Sequence, residues 1–157
     1  MPDPRIEELL RASPIAAAPF DRSPSLPTAT PLRDVIATMQ QRRAAAVVLT
    51  EGDQVAGIFT ERDLLNKIIG MGQKDHLPIR DVMTPQPRTL RPEAKMADAI
   101  RLMTEKGYRN IPLVDTAGRH VGLIAARDIM EFIAAQYPRQ VLPTPPPRAH
   151  TAGAAEP

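Results

Sequence analysis

Two stretches, Gly57-Ile58-Phe59-Thr60-Glu61-Arg62-Asp63 and Gly122-Leu123-Ile124-Ala125-Ala126-Arg127-Asp128, decide how this chain is read. Each begins in an apolar run with strand character and passes without a linker into a helical pattern. Gly57 and Gly122 are 65 residues apart, as are Asp63 and Asp128. Upstream of the first stretch, Leu32 to Arg42 carries Val35, Ile36 and Met39 at helical spacing. Ala45 to Leu49 then reads as a strand, Glu51-Gly52-Asp53 as a turn, and Gln54 to Phe59 as a second strand. Glu61 to Ile69 reads as a helix ended by Gly70. The second copy repeats this order. Arg88 to Leu90 is extended, and Lys95 to Lys106 is a helix stopped by Gly107. Asn110 to Val114 and His120 to Ile124 are strands about the turn Asp115-Thr116-Ala117-Gly118, and Arg127 to Ala135 is a helix. Asp34 and Asp98 are 64 apart, so the extra residue of the second copy falls in its hairpin turn, where an insertion is tolerated.

One βαββα unit cannot bury the apolar face of its own small sheet. The expected fold is therefore α/β (α+β): two such repeats packed sheet to sheet with pseudo-twofold symmetry. The expected organisation is an N-terminal helix within 1–13, a first repeat over 14–75, a second over 76–137, and a disordered Pro-rich tail over 138–157. Ile6, Leu9 and Leu10 share one side of the first helix. Pro14, Pro19, Pro24 and Pro27 keep the segment after it extended. Pro145-Pro146-Pro147 marks the tail as a stretch with too little apolar content to fold.

Composition narrows the chemistry. Apolar residues make up 43% of the 157, but aromatics only 3%, so the expected core is aliphatic. Cysteine is absent, which removes disulfides, thiolate ligands and cysteine nucleophiles together and fits a reducing compartment. His76, His120 and His150 stand at no metal-ligand spacing and are expected on the surface. The 20 basic and 18 acidic residues are well mixed, which argues against nucleic acid as a partner. The longest apolar run is too short to span a bilayer, and the amino terminus reads as a charged helix, not a signal peptide. A soluble, cytoplasmic protein is the expectation. No nucleophile adjoins a histidine base and no acidic cluster could hold a metal, so no enzyme activity is expected.

The repeated turn supports two readings with one geometry. Thr60 stands where a helix N-cap would, with Asp63 three residues on: the pattern of a capping box. The same helix start offers free N–H groups and a positive dipole end to a phosphate, with a hydroxyl beside them and a carboxylate able to accept from ribose hydroxyls. In the second copy Ala125 replaces the hydroxyl while Arg127 and Asp128 remain. A capping box loses most of its purpose without its hydroxyl, so the retained Asp128 favours the ligand reading.

Taken together, Ala99-Ile100-Arg101-Leu102-Met103, Tyr108 to Asp115, Gly118 to Ile124, the linker Ile79-Arg80-Asp81-Val82-Met83-Thr84-Pro85 and Gly57 to Leu64 resemble the CBS domain in its tandem form, the Bateman module. The resemblance runs from about Pro14 to Ala135. It implies a stand-alone regulatory module that binds an adenosine-containing small molecule, such as AMP, ADP, ATP or S-adenosylmethionine, needs no cofactor and modulates a protein partner. It places phosphate on Thr60 and ribose on Asp63, and adenine on Ala46 and Val47 or on Asn110, Ile111 and Pro112. Thr84 and Pro85 are expected to complete the pocket near the second copy. Arg62 and Arg127 are candidates for phosphate or for an acid of a neighbouring subunit. Asp128 serves the second site, weakened by Ala125: one lost phosphate hydrogen bond is worth about 1–3 kcal/mol, or roughly 5- to 150-fold. Tyr108 is expected at a strand start rather than stacked on a base. Leu64, Leu65, Ile68 and Ile69 form one core stripe, whereas Ile129, Met130, Phe132 and Ile133 cover a wider arc that implies a homodimer. The alternatives are a structural or interaction module with decayed sites, or an accessory to a separate nucleotidyltransferase or transporter. The last follows from the similarity of Pro14 to Asp63 to CBS pairs fused to nucleotidyltransferase-like proteins.

Overall fold

Asp3 accepts the backbone N–H of Arg5 at 3.0 Å and opens α1 (Pro4–Ala12), whose first residue is a proline, at a position where the missing N–H has no partner to lose. A computed structural model describes residues 3–70, 72 and 74–136 of the chain; the tail expected over 138–157 lies outside them. After a 3₁₀ turn at Ile15–Ala17 come β1 (Leu26–Pro27), α2 (Leu32–Arg42), β2 (Ala46–Glu51) and β3 (Gln54–Thr60). The helix α3 (Glu61–Asp63) opens into a π-helical turn at Leu64–Ile68. A second 3₁₀ turn at Ile79–Asp81 leads to β4 (Thr84–Pro85). The remaining elements are α4 (Met96–Lys106), β5 (Asn110–Val114), β6 (His120–Ala125) and α5 (Ala126–Gln136). The fold is the mixed α/β arrangement the repeat implies. The one helix that differs in kind is the continuous one expected over Glu61 to Ile69: only its first turn is α, and Ile69 is already extended.

The strands lie in the order β1-β2-β3-β4 in one sheet and β5-β6 in the other. β1 runs parallel to β2, and Leu90 bridges Leu113 in the same sense. Each repeat thus carries its own short parallel strand. The opposite edges are exchanged. β4, from the first residues of the second repeat, pairs antiparallel with β3 of the first, and Asp21, from the first residues of the first, pairs antiparallel with Leu123 of the second. Ile58 opposes Thr84, and Leu123 opposes Asp21. Because Ile58 and Leu123 are repeat equivalents, Thr84 and Asp21 occupy equivalent places.

β2 is buried from Ala46 through Thr50 because both of its faces are covered. Alternation sends Val47 and Leu49 to a core with Leu32, Val35, Met39, Phe59 and Ile79 under α2. Ala46 and Val48 face the other way and meet Ile58 and Leu123 between the two sheets. The second helix-side core holds Met96, Ala99, Ile111, Leu113, Ile124, Ile129 and Phe132. Ile15, Ala18 and Phe20 join this second core, with Leu9 and Leu10 of α1 against it. Packing therefore places Ile15, Ala18 and Phe20, which begin the first repeat in the chain, in the core of the second. The Ile15 N–H donates to the Ala94 carbonyl at 2.8 Å and the Met96 N–H to the Ser13 carbonyl at 3.0 Å.

Both signature glycines sit beneath these crossing segments. A methyl group on Gly57 would lie 2.3 Å from the Met83 sulfur, and one on Gly122 would lie 2.6 Å from the Phe20 ring and 2.8 Å from the Asp21 carbonyl oxygen. The helix ends diverge more. α4 stops on Gly107 at φ 72°, whereas α2 stops on Arg43 at φ 52°, a left-handed conformation that costs a non-glycine residue about 1–2 kcal/mol. At the far end of the sheets the hairpins touch, and the His120 N–H donates to the Asp53 carbonyl at 3.1 Å.

Candidate functional site

β3 and β6 each deliver their last residue to a helix start, and both starts open into a single cleft of about 930 Å³ between the repeats. Thr60, Arg62, Asp63 and Thr84 line one part of it and Asp21, Asn110, Ala125, Arg127 and Asp128 another. The two turns, 65 residues apart in the chain, thus share one space.

In the first turn both halves of the capping box are made. Thr60 Oγ1 accepts the Asp63 N–H at 3.2 Å, and Asp63 Oδ2 accepts the Thr60 N–H at 3.0 Å and the Thr60 hydroxyl at 3.2 Å. The other carboxylate oxygen is engaged as well. Asp63 Oδ1 accepts the Thr84 hydroxyl at 3.2 Å and pairs with Lys67 Nζ at 3.2 Å. Lys67 also donates to the Val82 carbonyl at 3.2 Å and to Thr84 at 3.3 Å. Lys67 sits in the π-helical turn, and nothing in the repeat singles it out, because its equivalent in the second copy is Phe132. Thr84 and Pro85 stand beside the first copy's turn rather than the second's, since β4 pairs with β3.

The second turn keeps half of the box. Asp128 Oδ2 accepts the Ala125 N–H at 2.8 Å. Retention of Asp128 after loss of the hydroxyl therefore has a structural reason of its own, which corrects the inference that a capping role would lapse without Thr. Asp128 is only 9% exposed. Burial pushes its carboxyl above the usual carboxylate range; the Ala125 N–H and Arg127 pull the other way, and Glu131 and Asp21 add to the rise. Asp21 also faces His120. That histidine, expected on the surface, is half-buried, and burial pushes its imidazole below the ordinary value against the pull of Asp21.

The raised Asp128 pKa fixes the sign of a pH dependence. The folded state holds this proton more tightly than the unfolded chain, so ionising Asp128 costs stability as pH rises above about 3.8. Asp128→Asn keeps an oxygen for the Ala125 N–H and removes the charge. Its stability is expected to gain on the parent's between about pH 3 and pH 7, measured by urea denaturation at each pH. A constant difference between the two proteins across that range would show that Asp128 titrates normally.

Not every residue assigned to the site reaches it. Ala46 and Asn110 line the cleft, but Val47, Ile111 and Pro112 do not. Val47 is 3% exposed in the first core and Ile111 fully buried in the second, both turned to the helix face by strand alternation; Pro112 is also fully buried. Tyr108 is 38% exposed and borders the cleft. Arg43, Arg62, Arg88, Arg109 and Arg127 also line it, and among the described residues none of them pairs with a carboxylate within 4.0 Å. Arg43, Arg88, Asp21 and Glu131 were not identifiable from the repeat, since they lie outside its matching positions or change identity between copies. Outside the cleft, Ile129 and Phe132 are core, but Met130 is exposed. Leu65 and Ile69 are exposed too, so the stripe expected to serve the first core alone leaves half its residues on the surface. No group of three potential metal ligands and no helix long and apolar enough to cross a membrane occurs among the described residues.

The profile of the CBS domain matches residues 15–70 and 79–135. An uncharacterized protein of Methanopyrus kandleri is 31% identical over 106 residues, which cover 67% of this chain and 54% of that one. The chain spans about half the length of the first curated relatives it matches. Among solved structures, a signal-transduction protein with CBS domains from Burkholderia ambifaria superimposes with a TM-score of 0.68 at 25% identity, over 86% of this chain and 97% of that one. CBSX2 of Arabidopsis thaliana, solved in complex with AMP, gives a TM-score of 0.68 at 20% identity over 79% and 98%.

Proposed function

Because the chain belongs to the CBS-domain family and carries two such domains, we propose that it is a regulatory module whose cleft binds an adenine nucleotide and whose bound state modulates a partner. The observation that carries this reading is the convergence of two carboxylates, Asp63 and Asp128, each at a strand-to-helix turn, on one cleft of about 930 Å³, a volume suited to small-molecule ligands. Thr60 and the α3 start take phosphate, Asp63 takes the ribose, and Ala46 meets the base, with Asn110 in the equivalent place of the second copy. Arg62 and Arg127 bring unpaired positive charge to the phosphate. The AMP complex of a CBS pair with the same fold supports the ligand class, with ADP, ATP and S-adenosylmethionine as the other candidates.

The signal arises through Thr84. It belongs to the segment joining the repeats and bonds to the carboxylate that the ribose would use. A ligand at Asp63 competes for that carboxylate, releases Thr84, and so favours one arrangement of the joining segment over another by its differential affinity. Exposed Leu65, Ile69 and Met130 are apolar side chains on which a second copy or a regulated protein would pack.

The test is mass spectrometry of small molecules released from the freshly purified protein, with calorimetric titration of the emptied protein by AMP, ADP, ATP and S-adenosylmethionine. Binding of at least one of them in the micromolar range is expected. No binding and no thermal shift with any of the four would overturn the reading in favour of a structural module with decayed sites. One observation favours that second reading: both oxygens of Asp63 are already satisfied within the chain.

A further inference from the structure

The two turns are equivalent in backbone, but the second is poorer in donors and more acidic. At the first, Asp63 is met by the Thr60 hydroxyl, the Thr84 hydroxyl and the Lys67 ammonium, all within 3.2 Å. At the second, each of these is replaced. Thr60 becomes Ala125, Lys67 becomes Phe132, and Thr84 becomes Asp21, the residue that opposes Leu123 as Thr84 opposes Ile58. Asn66 becomes Glu131 at the same repeat offset of 65. Two changes run in the other direction: Glu61 becomes Ala126, and Ala45, whose carbonyl accepts the Glu61 N–H, becomes Arg109, whose carbonyl accepts the Ala126 N–H.

A 5′-phosphate beside the first turn therefore meets two hydroxyl donors and a cation. Beside the second it keeps an arginine, Arg127 in the place of Arg62, but meets a methyl group in the place of the Thr60 hydroxyl and, at the place of Thr84, a carboxylate whose orientation is fixed: Asp21 Oδ1 accepts the Ser23 N–H at 2.7 Å, and the Asp21 backbone is tied to Leu123 at 2.8 and 3.0 Å. A carboxylate and a phosphate facing one another across the cleft repel. A ribose has no such difficulty. Asp128 is more than nine-tenths buried, lines the cleft, and uses only Oδ2 within the protein, which leaves Oδ1 to accept from sugar hydroxyls.

We propose that the two sites take different ligands: the Asp63 site a phosphorylated adenosine, and the Asp128 site an adenosine group without phosphate, neutral or cationic at its 5′ position. The inference rests on the reading of the cleft as an adenosine site. It makes the chain a sensor of two metabolites at once, with Asp21 as the residue that rejects phosphate from the second site.

AMP and adenosine differ only in the phosphate and serve as probes. Isothermal titration of the full chain with AMP is expected to saturate at one per chain. With AMP at saturation, adenosine is expected to bind one further equivalent. In the double variant Asp21→Thr, Ala125→Thr, which rebuilds the first site's donors at the second, AMP is expected to saturate at two per chain, and its second affinity to gain at least tenfold. Two AMP per parent chain with affinities within threefold of each other would overturn the proposal while leaving the adenosine reading intact. So would adenosine that adds nothing to the AMP-saturated protein. Failure of both probes to bind would overturn the two together. The parent titrations decide the matter even if the double variant does not fold.

Discussion

Replacing Gly122 by alanine is expected to cost about 3 kcal/mol of folding stability, and replacing Gly57 by alanine about 1 kcal/mol. Neither glycine has a positive φ, so the cost comes from what lies above each. The atoms nearest a methyl group on Gly57 belong to the Met83 side chain, a flexible thioether that can change rotamer. Over Gly122 lie the Phe20 ring and the Asp21 carbonyl oxygen. Phe20 is 8% exposed in the second core, and the Arg22 guanidinium covers its ring at 4.3 Å from the centroid. The Asp21 carbonyl accepts the Leu123 N–H at 2.8 Å. A methyl group there must push backbone away and break the bridge that closes the edge of the second sheet. Urea denaturation of the two variants measures the difference. Equal losses, or a larger loss at Gly57, would mean that the Asp21 segment is not held as described.

Asp63→Ala is expected to weaken AMP binding by about 10- to 150-fold, the value of hydrogen bonds to a charged acceptor at about 1.5–3 kcal/mol. Asp128→Ala is expected to change it less than about fivefold, since the phosphorylated ligand is assigned to the other turn. The two carboxylates occupy equivalent backbone positions, so the comparison removes the helix start as a variable. Asp63→Ala also takes away half of a capping box and the partner of Lys67. Asp63→Asn, which keeps an oxygen for the Thr60 N–H but also lacks the charge that Lys67 pairs with, separates lost capping from lost ribose contact: it should be more stable than Asp63→Ala and still bind AMP poorly. Calorimetric titration of the three variants gives the comparison, and equal losses from Asp63 and Asp128 would sink the asymmetry between the sites.

Much of this architecture is local and therefore readable in order along the chain. Helical spacing places α2 over Leu32–Arg42, and a short apolar run bounded by Gly107 and the turn Asp115-Thr116-Ala117-Gly118 places β5 over Asn110–Val114. The left-handed stop at Gly107 follows from glycine, but the same stop at Arg43 has no such marker. The helix after Thr60 was legible at its start, where a capping pattern is a matter of four consecutive residues. It was not legible beyond Asp63, where the π-helical turn accompanies Lys67 contacts with Val82 and Thr84, residues far along the chain. At the site, Asp63 and Asp128 stood out because the repeat marks that position twice, and Thr60 because it stands at the N-cap of the first copy. Val47, Ile111 and Pro112 went to the wrong surface because adjacency to Ala46 and Asn110 along a strand means the opposite face, or a buried place, rather than the same one.

By itself the amino-acid sequence determined that this chain is two copies of one βαββα unit, that each copy brings an Asp to a strand-to-helix turn, and that only the first copy retains the Thr. Those are short-range properties: periodicity, turn chemistry and the comparison of one copy with the other. Only the tertiary structure decided which segment completes which turn. The edge strands are exchanged between repeats, so Thr84 reaches Asp63 and Asp21 reaches the turn of Asp128 across the sheet interface. Backbone pairing of edges answers to geometry and not to the identity of the side chains carried. That is why a hydroxyl at one edge and a carboxylate at the equivalent edge gave no signal until both were seen in place, and why the difference in charge between two matching turns belongs to the fold rather than to the repeat.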